Sequence, residues 1–549
     1  MSQIADYLGW VAWDEVPIIN AYFVYVHAFV PLIEEKTFRE TYMSGRRQDS
    51  RWLALLNVVL AMGSMAASTS DDNGHRVYYN RAMQHLGFET IGSAHLETVQ
   101  ALALLGGFYL HYIQQPNLAV AVMGATLRLA TTLGLHREYL DGRTQHSSKS
   151  RTPSVEMRRR IWWCIFNLDA WANSNLGRPS MGRWGHAITV KPPQFVDVSS
   201  AWAGEGVLLT VLQQQQASPI LLLQEFIRFN IISTQIEDAL AVSPLIPTTD
   251  LLSLDNAMVE WYRNLPAPLQ PSQNTPQQHN YETPGVTIAK SVMRWRYHLT
   301  RLSIHRPVLL WYALRRVPFT SISVEKQVAI EKCRGSAAEL IADITSSWTG
   351  SKPCQMSGWN ATWLLYQASM VPLLSLFSDP SDQSVVERCQ QQVEIVKAAL
   401  VEMRTWSLTA QRSLEVVSKI YEVSKRFTAR YLPGQREEEA SSSHFYDPVQ
   451  SGRTATSDTT NFDGVTTSSD TIMDSMWDSL NWSQGWENMW YPFDTSSPDW
   501  EYGPATGWGE SLDSSAFSFD PILTGAPGQL PGADGNNQQG PGTEHGFSV

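Results

Sequence analysis

The sequence predicts an all-α protein, a large multi-helix domain of packed antiparallel helices followed by a disordered acidic C-terminal tail. Apolar residues recur at helical spacing through most of residues 1–433. No stretch in this part alternates apolar and polar residues for long enough to predict a sheet. From residue 434 onward Ser, Thr, Asp, Gly and Pro dominate, lysine is missing, and too little apolar surface could be buried to offset chain entropy. We therefore predict a helical domain over 1–433 and a tail over 434–549.

The amino-acid composition limits the classes of protein to which this chain can belong. Hydrophobic residues make up 43% of the chain, enough for a large core. The longest apolar run, Leu53 to Ala67, is shorter than the ~20 residues that a membrane span requires, and no secretory signal pattern opens the chain. The cysteines are scattered without a CxxC pair, which fits a reducing compartment and argues against a disulfide framework or a thiolate metal site; they are Cys164, Cys333, Cys354 and Cys389. We expect an intracellular protein with no membrane partner.

The net charge of −12 belongs to the tail. Residues 434–549 contain 18 Asp and Glu, two Arg and no Lys, whereas residues 1–433 contain 39 basic and 35 acidic side chains. An acidic tail repels nucleic acid, so it is better suited to binding protein partners.

Helical periodicity predicts the elements of the first 433 residues in chain order. The predicted helices cover 51–68, 76–92, 95–112, 116–138, 152–177, 219–242, 250–264, 291–310, 325–346, 359–378 and 383–428. The segment 188–198 is predicted to be extended, because Pro-Pro and β-branched residues disfavour a helix there. Residues 266–284 contain five prolines and are predicted to form a flexible loop.

The helix predicted over 95–112 is apolar nearly all round, which indicates a central position. Gly106 and Gly107 lie inside it, although each glycine weakens a helix by about 1 kcal/mol relative to alanine. The close approach of a neighbouring helix would account for them. Small residues that admit tight packing also recur in the next helix, at Ala119, Ala121, Gly124, Ala125 and Ala130.

The helix predicted over 152–177 begins at an N-cap candidate, Thr152, and ends at a Gly-Arg-Pro turn. One face of this helix is apolar except for Asp169. Ile165, Phe166 and Asp169 follow Trp162 on this face at offsets of three, four and seven residues. Burying a carboxylate is costly unless it is paired or hydrogen-bonded. Two alternatives follow: Asp169 forms a buried clasp with Arg178, or it lies at the boundary of the face and is satisfied by water or backbone.

Two basic features have a functional and a structural interpretation. Arg158, Arg159 and Arg160 precede two tryptophans; the run would suit nucleic-acid contact or nuclear import, but the adjacent aromatics favour a fold-stabilising role. Tyr297, Arg301 and His305 form a polar stripe on an otherwise apolar helix; the stripe would suit phosphate contact, but its neighbours favour a buried network.

The sequence contains no recognised catalytic or metal-binding pattern. The sequence contains no GxSxG, HExxH, Walker-type or zinc-finger spacing. Asp71 and Asp72 would need a second carboxylate cluster and an acid one turn later, where Arg76 stands, so we expect no metal there. We therefore predict no catalytic and no metal-ligating residue, and no cofactor in this chain.

The tail combines acids with large aromatic residues. The core of this pattern is Asp474 to Asp494, and six Trp fall within 32 residues. Such composition is typical of amphipathic activation segments, in which acids keep the aromatics solvated until a partner groove receives them. A plain disordered tail with incidental aromatics would not explain this density. The predicted anchors are Trp477, Trp482, Trp486, Trp490 and Phe493.

Three parts of the sequence resemble one family. They are "RRRIWWCIFNLDAWANSNLGRPS" (Arg158 to Ser180), the pair of segments from Glu97 to Arg137, and "YHLTRLSIHRP" (Tyr297 to Pro307). Together they resemble the fungal transcription-factor regulatory domain, or middle homology region, over most of residues 20–430. The residues that carry the signature are Arg158, Arg159, Arg160, Trp162, Trp163, Asp169, Gly177, Arg178, Pro179, His305, Arg306 and Pro307.

The resemblance implies a non-enzymatic transcriptional regulator of RNA polymerase II genes, controlling a metabolic pathway or a gene cluster. It also implies nuclear localisation with the option of shuttling to the cytoplasm, coactivator or mediator-type partners for the tail, and assembly as a homo- or heterodimer. Members of the family usually carry an N-terminal zinc cluster of six cysteines, which this sequence lacks. Zinc and DNA binding are thus expectations of the family alone, and DNA contact is expected only through a missing N-terminal module or a partner. The alternative is a helical small-molecule-binding or enzymatic domain with a solubilising tail.

Overall fold

A computed structural model describes residues 15–138, 154–180, 185–194, 217–242, 245–270, 282–315 and 317–429. Within these ranges all regular structure is helical and no strand occurs, so the predicted all-α class is confirmed. The tail, with its predicted anchors Trp477, Trp482, Trp486, Trp490 and Phe493, lies outside the described residues. The boundary between the helical domain and the tail stays a prediction.

Fifteen α-helices, α1 to α15, form the described part of the chain. In order they are Val16–Ala21, Glu35–Ser44, Ser50–Ala67, Gly74–His85, Phe88–Gly92, Leu96–Leu104, Pro116–Thr132, Val155–Leu176, Pro219–Val242, Thr248–Arg263, Pro284–Arg315, Val324–Thr349, Gln355–Ser378, Gln383–Met403 and Ala410–Ala429. Tyr22–Val26 and Leu105–Tyr109 form π-helical turns after α1 and α6, and Leu110–Tyr112 adds one further α-helical turn after the second.

The centre of the fold is α13, which is buried along 20 of its 24 residues. It packs against α3, α11, α12, α14 and α15. A helix that is apolar on every side is stable only where neighbours cover all of its faces, and α13 meets that condition. The 32-residue α11 runs beside it and also contacts α9, α10 and α12, so α11 connects the two ends of the described chain.

The helix α3 shows why apolar length alone does not identify a membrane span. Its 18 residues are long and apolar enough to cross a membrane by length and composition, yet 72% of them are buried inside the fold. Asp49 caps the helix by accepting a hydrogen bond from the Trp52 backbone N–H at 3.2 Å. Contacts with α1, α4 and α6 cover its sides, as for a core helix.

The glycine pair in the π-helical turn after α6 allows two helices to approach closely, as the sequence predicts. A Cβ atom on Gly107 would lie 2.6 Å from Leu168 of α8, and one on Gly106 would lie 3.0 Å from the carbonyl oxygen of Ala119 in α7. Both glycines lie in a π-helical turn, which periodicity did not predict. Of the small residues in α7, Ala119 and Ala130 are buried, whereas Ala121 and Ala125 are exposed, so the prediction of tight packing is wrong for the latter two.

Several predicted helix ends are wrong. The predicted helix over 383–428 is two helices, α14 and α15, and the predicted helix over 76–92 is α4 and α5. Tertiary contacts cause the first break: Ser70 donates its backbone N–H to Thr405 O at 2.9 Å and its hydroxyl to Arg404 O at 3.0 Å. The helix predicted over 116–138 ends at Thr132, two residues before Gly134 takes a left-handed conformation with φ of 67°.

Candidate functional site

The first group of signature residues lies on the helix α8 and in the turn after it. Its N-cap is Ser154, whose hydroxyl accepts a hydrogen bond from the Met157 backbone N–H at 3.1 Å, so the predicted cap at Thr152 is wrong. Gly177 ends the helix with φ of 62°, a left-handed conformation that glycine adopts without strain. The predicted apolar face is buried, because Trp162, Ile165 and Phe166 are all at most 4% exposed.

The three arginines at the start of α8 contact neighbouring parts of the fold. Arg159 forms an ion pair with Glu138, with Nε to Oε1 at 3.1 Å. Arg158 donates to the carbonyl oxygen of Leu133 at 2.9 Å, and Arg160 pairs with Glu156 one turn earlier at 3.3 Å. These contacts hold the end of α7 and the residues after it against α8.

Trp163 and Pro179 are signature residues of α8 and of the turn that follows it. Trp163 is 1% exposed, and its indole N–H donates to the carbonyl oxygen of Lys191 at 2.9 Å. Lys191 belongs to the segment predicted to be extended, 188–198, whose described part, 188–194, has no regular structure. Thr189 and Val190 donate their backbone N–H groups to the carbonyl oxygen of His136. This segment therefore lies across the chain that follows α7 and against α8.

Asp169 joins α8 to the loop after it, but the predicted clasp with Arg178 is wrong. Asp169 is 2% exposed, and its carboxylate accepts hydrogen bonds from the Ser180 hydroxyl at 2.6 Å and from Asn173 at 2.9 Å. Arg178 instead donates to the side-chain oxygen of Asn117 at 2.8 Å. The hydroxyl reaches the carboxylate from the same loop that carries Arg178, so Ser180 attaches the loop to the helix.

The second group of signature residues surrounds a buried carboxylate. Asp255 of α10 is fully buried, and two cationic side chains and one imidazole meet it. Arg301 of α11 donates from Nε at 2.7 Å, Lys332 of α12 donates at 2.6 Å, and His305 Nε2 lies 3.5 Å away. One acid therefore joins three helices, and the polar stripe of α11 forms a buried network.

The pKa of Asp255 follows from two opposed effects. Burial alone would raise the pKa of this carboxyl, because it disfavours the charged form. The adjacent His305, Arg301 and Lys332 favour the charged form and together hold the pKa well below its usual range. Asp255 is therefore ionised at any physiological pH.

Tyr297 and Arg306 extend the contacts of α11. Tyr297 stacks on Tyr262 of α10 with ring centroids 4.0 Å apart, and its hydroxyl is 3.4 Å from Arg301. Arg306 is 3% exposed, donates to Gln367 of α13 at 2.9 Å, and has a pKa lowered to about 10 by burial. Pro307 lies inside α11.

Sequence reasoning missed Asp255, Lys332 and a second buried network. In that network Arg334 of α12 pairs with Asp379 at the end of α13, and Tyr312 of α11 donates to the same carboxylate at 2.5 Å. The signal for Asp255 was present, because Leu251 and Met258 flank it at offsets of four and three residues, as on the face that carries Asp169. The sequence around Lys332 and Asp379 contains no comparable pattern that would have predicted their role in these networks.

The chemistry available to the described residues is limited. No group of three or more His, Cys, Asp or Glu side chains in the described part could hold a metal ion. The four cysteines are buried; three lie in different helices and Cys354 is the N-cap of α13. Burial raises the pKa of Cys333 to about 12 and of Cys389 to about 11. Thiols with such pKa values remain protonated and are poor nucleophiles and ligands. Asp72 accepts a backbone hydrogen bond from Gly74 at 2.8 Å, within a turn.

One protein-family model matches the part of the chain that contains α8. Residues 19–235 match the model of the fungal specific transcription factor domain. This region is similar to the fungal specific transcription factor domain. It extends from α1 into α9 and includes the arginine run, Asp169 and the Gly-Arg-Pro turn. The Asp255 network lies beyond this match, so the resemblance over 236–430 stays a prediction.

Curated relatives agree with this assignment. The chain is 32% identical over 209 residues to the lactose regulatory protein of Kluyveromyces lactis, covering 37% of this chain and 22% of the relative. It is 30% identical over 151 residues to transcription regulator galc of Aspergillus niger, covering 26% and 18%. It is 31% identical over 147 residues to pyrimidine pathway regulatory protein 1 of Saccharomyces cerevisiae, covering 26% and 15%.

The match to these three relatives spans no more than 22% of their own length. No solved structure matches the chain.

Proposed function

We propose that this chain is a transcriptional regulator of the fungal zinc-cluster type, controlling RNA polymerase II genes of a metabolic pathway or gene cluster. The observation that carries the proposal is the fungal specific transcription factor domain over residues 19–235. Relatives named as regulators of lactose, pyrimidine and purine use support the same class.

The helical body and the tail have different roles in this proposal. Some charged side chains of the body form internal networks, such as the one around Asp255, which supports a structural role for the body. The tail, with its acids and aromatics, recruits coactivator or mediator-type proteins. Its composition supports this role, because six Trp and 18 acidic residues occur among residues 434–549.

Nuclear localisation and a non-enzymatic mode of action belong to the same proposal. The carboxylate of Asp255 is fully buried and surrounded by cations, and the described thiols are buried, so these groups are poorly placed for acid–base or nucleophilic chemistry. DNA contact comes through a zinc-cluster module or through a partner protein, with the regulator acting as a homo- or heterodimer. Zinc has no proposed ligand among the described residues of this chain.

A tethered reporter assay tests the proposal. The full chain is fused to an unrelated DNA-binding domain, and transcription of a reporter with the matching site is measured. We expect activation, and we expect most of it to be lost when Trp482, Trp486 and Trp490 are replaced by Ala. A matched control replaces Trp500 and Trp508, which lie outside the core of the pattern, and should retain more activity. Absence of activation by both the full chain and residues 434–549 alone would contradict the activating role of the tail.

A further inference from the structure

Residues 188–194, here called the strap, lie across the part of the fold that matches the family model, without forming a helix or a strand. An irregular segment of this kind can leave its backbone N–H groups to water. In the strap, the N–H groups of Thr189 and Val190 instead donate to the carbonyl oxygen of His136 at 3.0 and 3.2 Å. The strap is therefore attached to the chain that follows α7.

Two glutamates hold the rest of the strap backbone. The N–H of Lys191 donates to Glu138 Oε2 at 2.9 Å, and the N–H of Gln194 donates to both carboxylate oxygens of Glu156 at 3.1 Å. A hydrogen bond to a charged acceptor is stronger than one between neutral groups. Because the two prolines of the strap have no N–H, every N–H group of residues 189–194 has an acceptor outside the strap.

Arg159, one of the signature residues, links the two glutamates. Its Nε donates to Glu138 at 3.1 Å, and its Nη1 is 3.7 Å from Glu156. The hydrogen bond from Arg159 lowers the pKa of Glu138, which keeps that carboxylate charged. Because one guanidinium contacts both acids, a change at one acid should also affect the attachment that the other acid makes.

The carbonyl groups of the strap are bound by two helices. Trp163 of α8 donates its indole N–H to the carbonyl oxygen of Lys191 at 2.9 Å, and Gln224 of α9 donates to that of Pro193 at 2.6 Å. Val190 and Pro193 are buried, whereas the other side chains from 189 to 194 are exposed. A segment that is fixed mainly by polar contacts and buries little apolar surface is of the kind that opens locally at low free energy.

We propose that the strap is a conformational latch, which opens and closes as one unit in the folded protein. Closed, it joins the chain after α7 to α8 and α9, through acids that Arg159 orients. Open, it frees these elements from one another at this point and uncovers the indole of Trp163, which is 1% exposed in the closed form. Pro192 and Pro193 stiffen the backbone between the two acid attachments, so displacement of one end moves the other. The latch does not depend on the proposed function.

Hydrogen exchange of the full chain at pH 7, measured at single amides by fragmentation mass spectrometry, tests the latch. Glu138→Gln, Glu156→Gln and Gln224→Met each weaken one attachment, on three different elements. We expect each variant to accelerate the exchange of the amides at 189, 190, 191 and 194 together, by about tenfold, as for the net loss of one hydrogen bond. Exchange in the interior of α8 should not change.

Two of the variants decide between a latch and a set of independent contacts. Gln224→Met leaves every charge in place, so it keeps the test open if Glu156→Gln, which also loses its pair with Arg160, fails to fold. Glu35→Gln, which removes an exposed ion pair on α2, is the matched control and should leave exchange of the strap unchanged. Acceleration confined to the amide beside the substituted group, or exchange of the strap only together with the interior of α8, would overturn the proposal.

Discussion

At the scale of single residues, two buried carboxylates organise their surroundings in different ways. Asp255 meets charged partners from two other helices, and the partners of Asp169 among the described residues include the hydroxyl of Ser180 and the amide of Asn173. Sequence periodicity indicated that Asp169 faces the core. It could not identify the partner, because Arg178 and Ser180 lie in the same loop and only the path of the chain determines which side chain reaches the carboxylate.

Asp255→Asn should destabilise the fold by about 3–5 kcal/mol, because it leaves Arg301 and Lys332 without their buried counter-charge. The free energy of unfolding from urea titrations at pH 7 checks this. A loss below about 1 kcal/mol would show that water or another acid compensates the cations. Glu260→Gln, on the same helix and outside the network, is the matched control.

The pH dependence of the same variant has a definite sign. The pKa of Asp255 is depressed in the folded state, so its contribution is complete above the ordinary pKa of about 3.9 and is lost as the pH falls toward the folded value. The difference in unfolding free energy between wild type and Asp255→Asn should be constant from pH 7 to about pH 5 and shrink below about pH 4. A difference that changes between pH 5 and 7 would contradict the assignment of the ionised state.

The attachment of the loop after α8 can be tested with two substitutions. Ser180→Ala should cost about 1–3 kcal/mol of unfolding free energy, because it removes a donor from the buried carboxylate of Asp169. Arg178→Ala should cost about 0.5 kcal/mol or less, as is usual for an exposed side chain. A larger loss of unfolding free energy for Arg178→Ala than for Ser180→Ala in chemical denaturation would support the Asp169–Arg178 clasp that the sequence suggested.

At the scale of elements, periodicity predicted the helical segments from α3 onward, but it predicted neither α1 and α2 nor how each helix ends. The segment 383–428 has continuous helical periodicity, and only its contacts with Ser70 and with Gly358 of α13 explain the break. The π-helical turn at Leu105–Tyr109 is likewise a product of packing, because Gly106 and Gly107 face two different helices there. The glycine pair itself was the signal that could be predicted from the sequence.

Gly107→Ala should therefore destabilise the protein by about 1–3 kcal/mol, because its Cβ atom would overlap Leu168 of α8 and the two helices cannot separate without strain. Gly124→Ala in α7 is the matched control: nothing lies within 4 Å of its Cβ position, and the higher helix propensity of alanine should stabilise by about 1 kcal/mol. Thermal unfolding of both variants measures the contrast. Equal effects would mean that α6 and α8 can move apart freely.

At the scale of the whole molecule, the sequence predicted the helical class and the contrast between a nearly neutral body and an acidic end. It could not predict the networks that connect distant helices, since Asp255 and Lys332 are 77 positions apart and each looks ordinary locally. Long-range pairing of charges is a property of the fold rather than of any segment.

Promoter occupancy is the measurement that tests the central claim most directly. The full-length protein is tagged at its own locus, and its binding to chromatin and the transcripts of the occupied genes are measured in the same cells. A transcriptional regulator should be enriched at a discrete set of promoters. Replacing Trp482, Trp486 and Trp490 by Ala should lower those transcripts while occupancy persists. A protein that is absent from promoters, with transcripts unchanged on its deletion, would contradict the account.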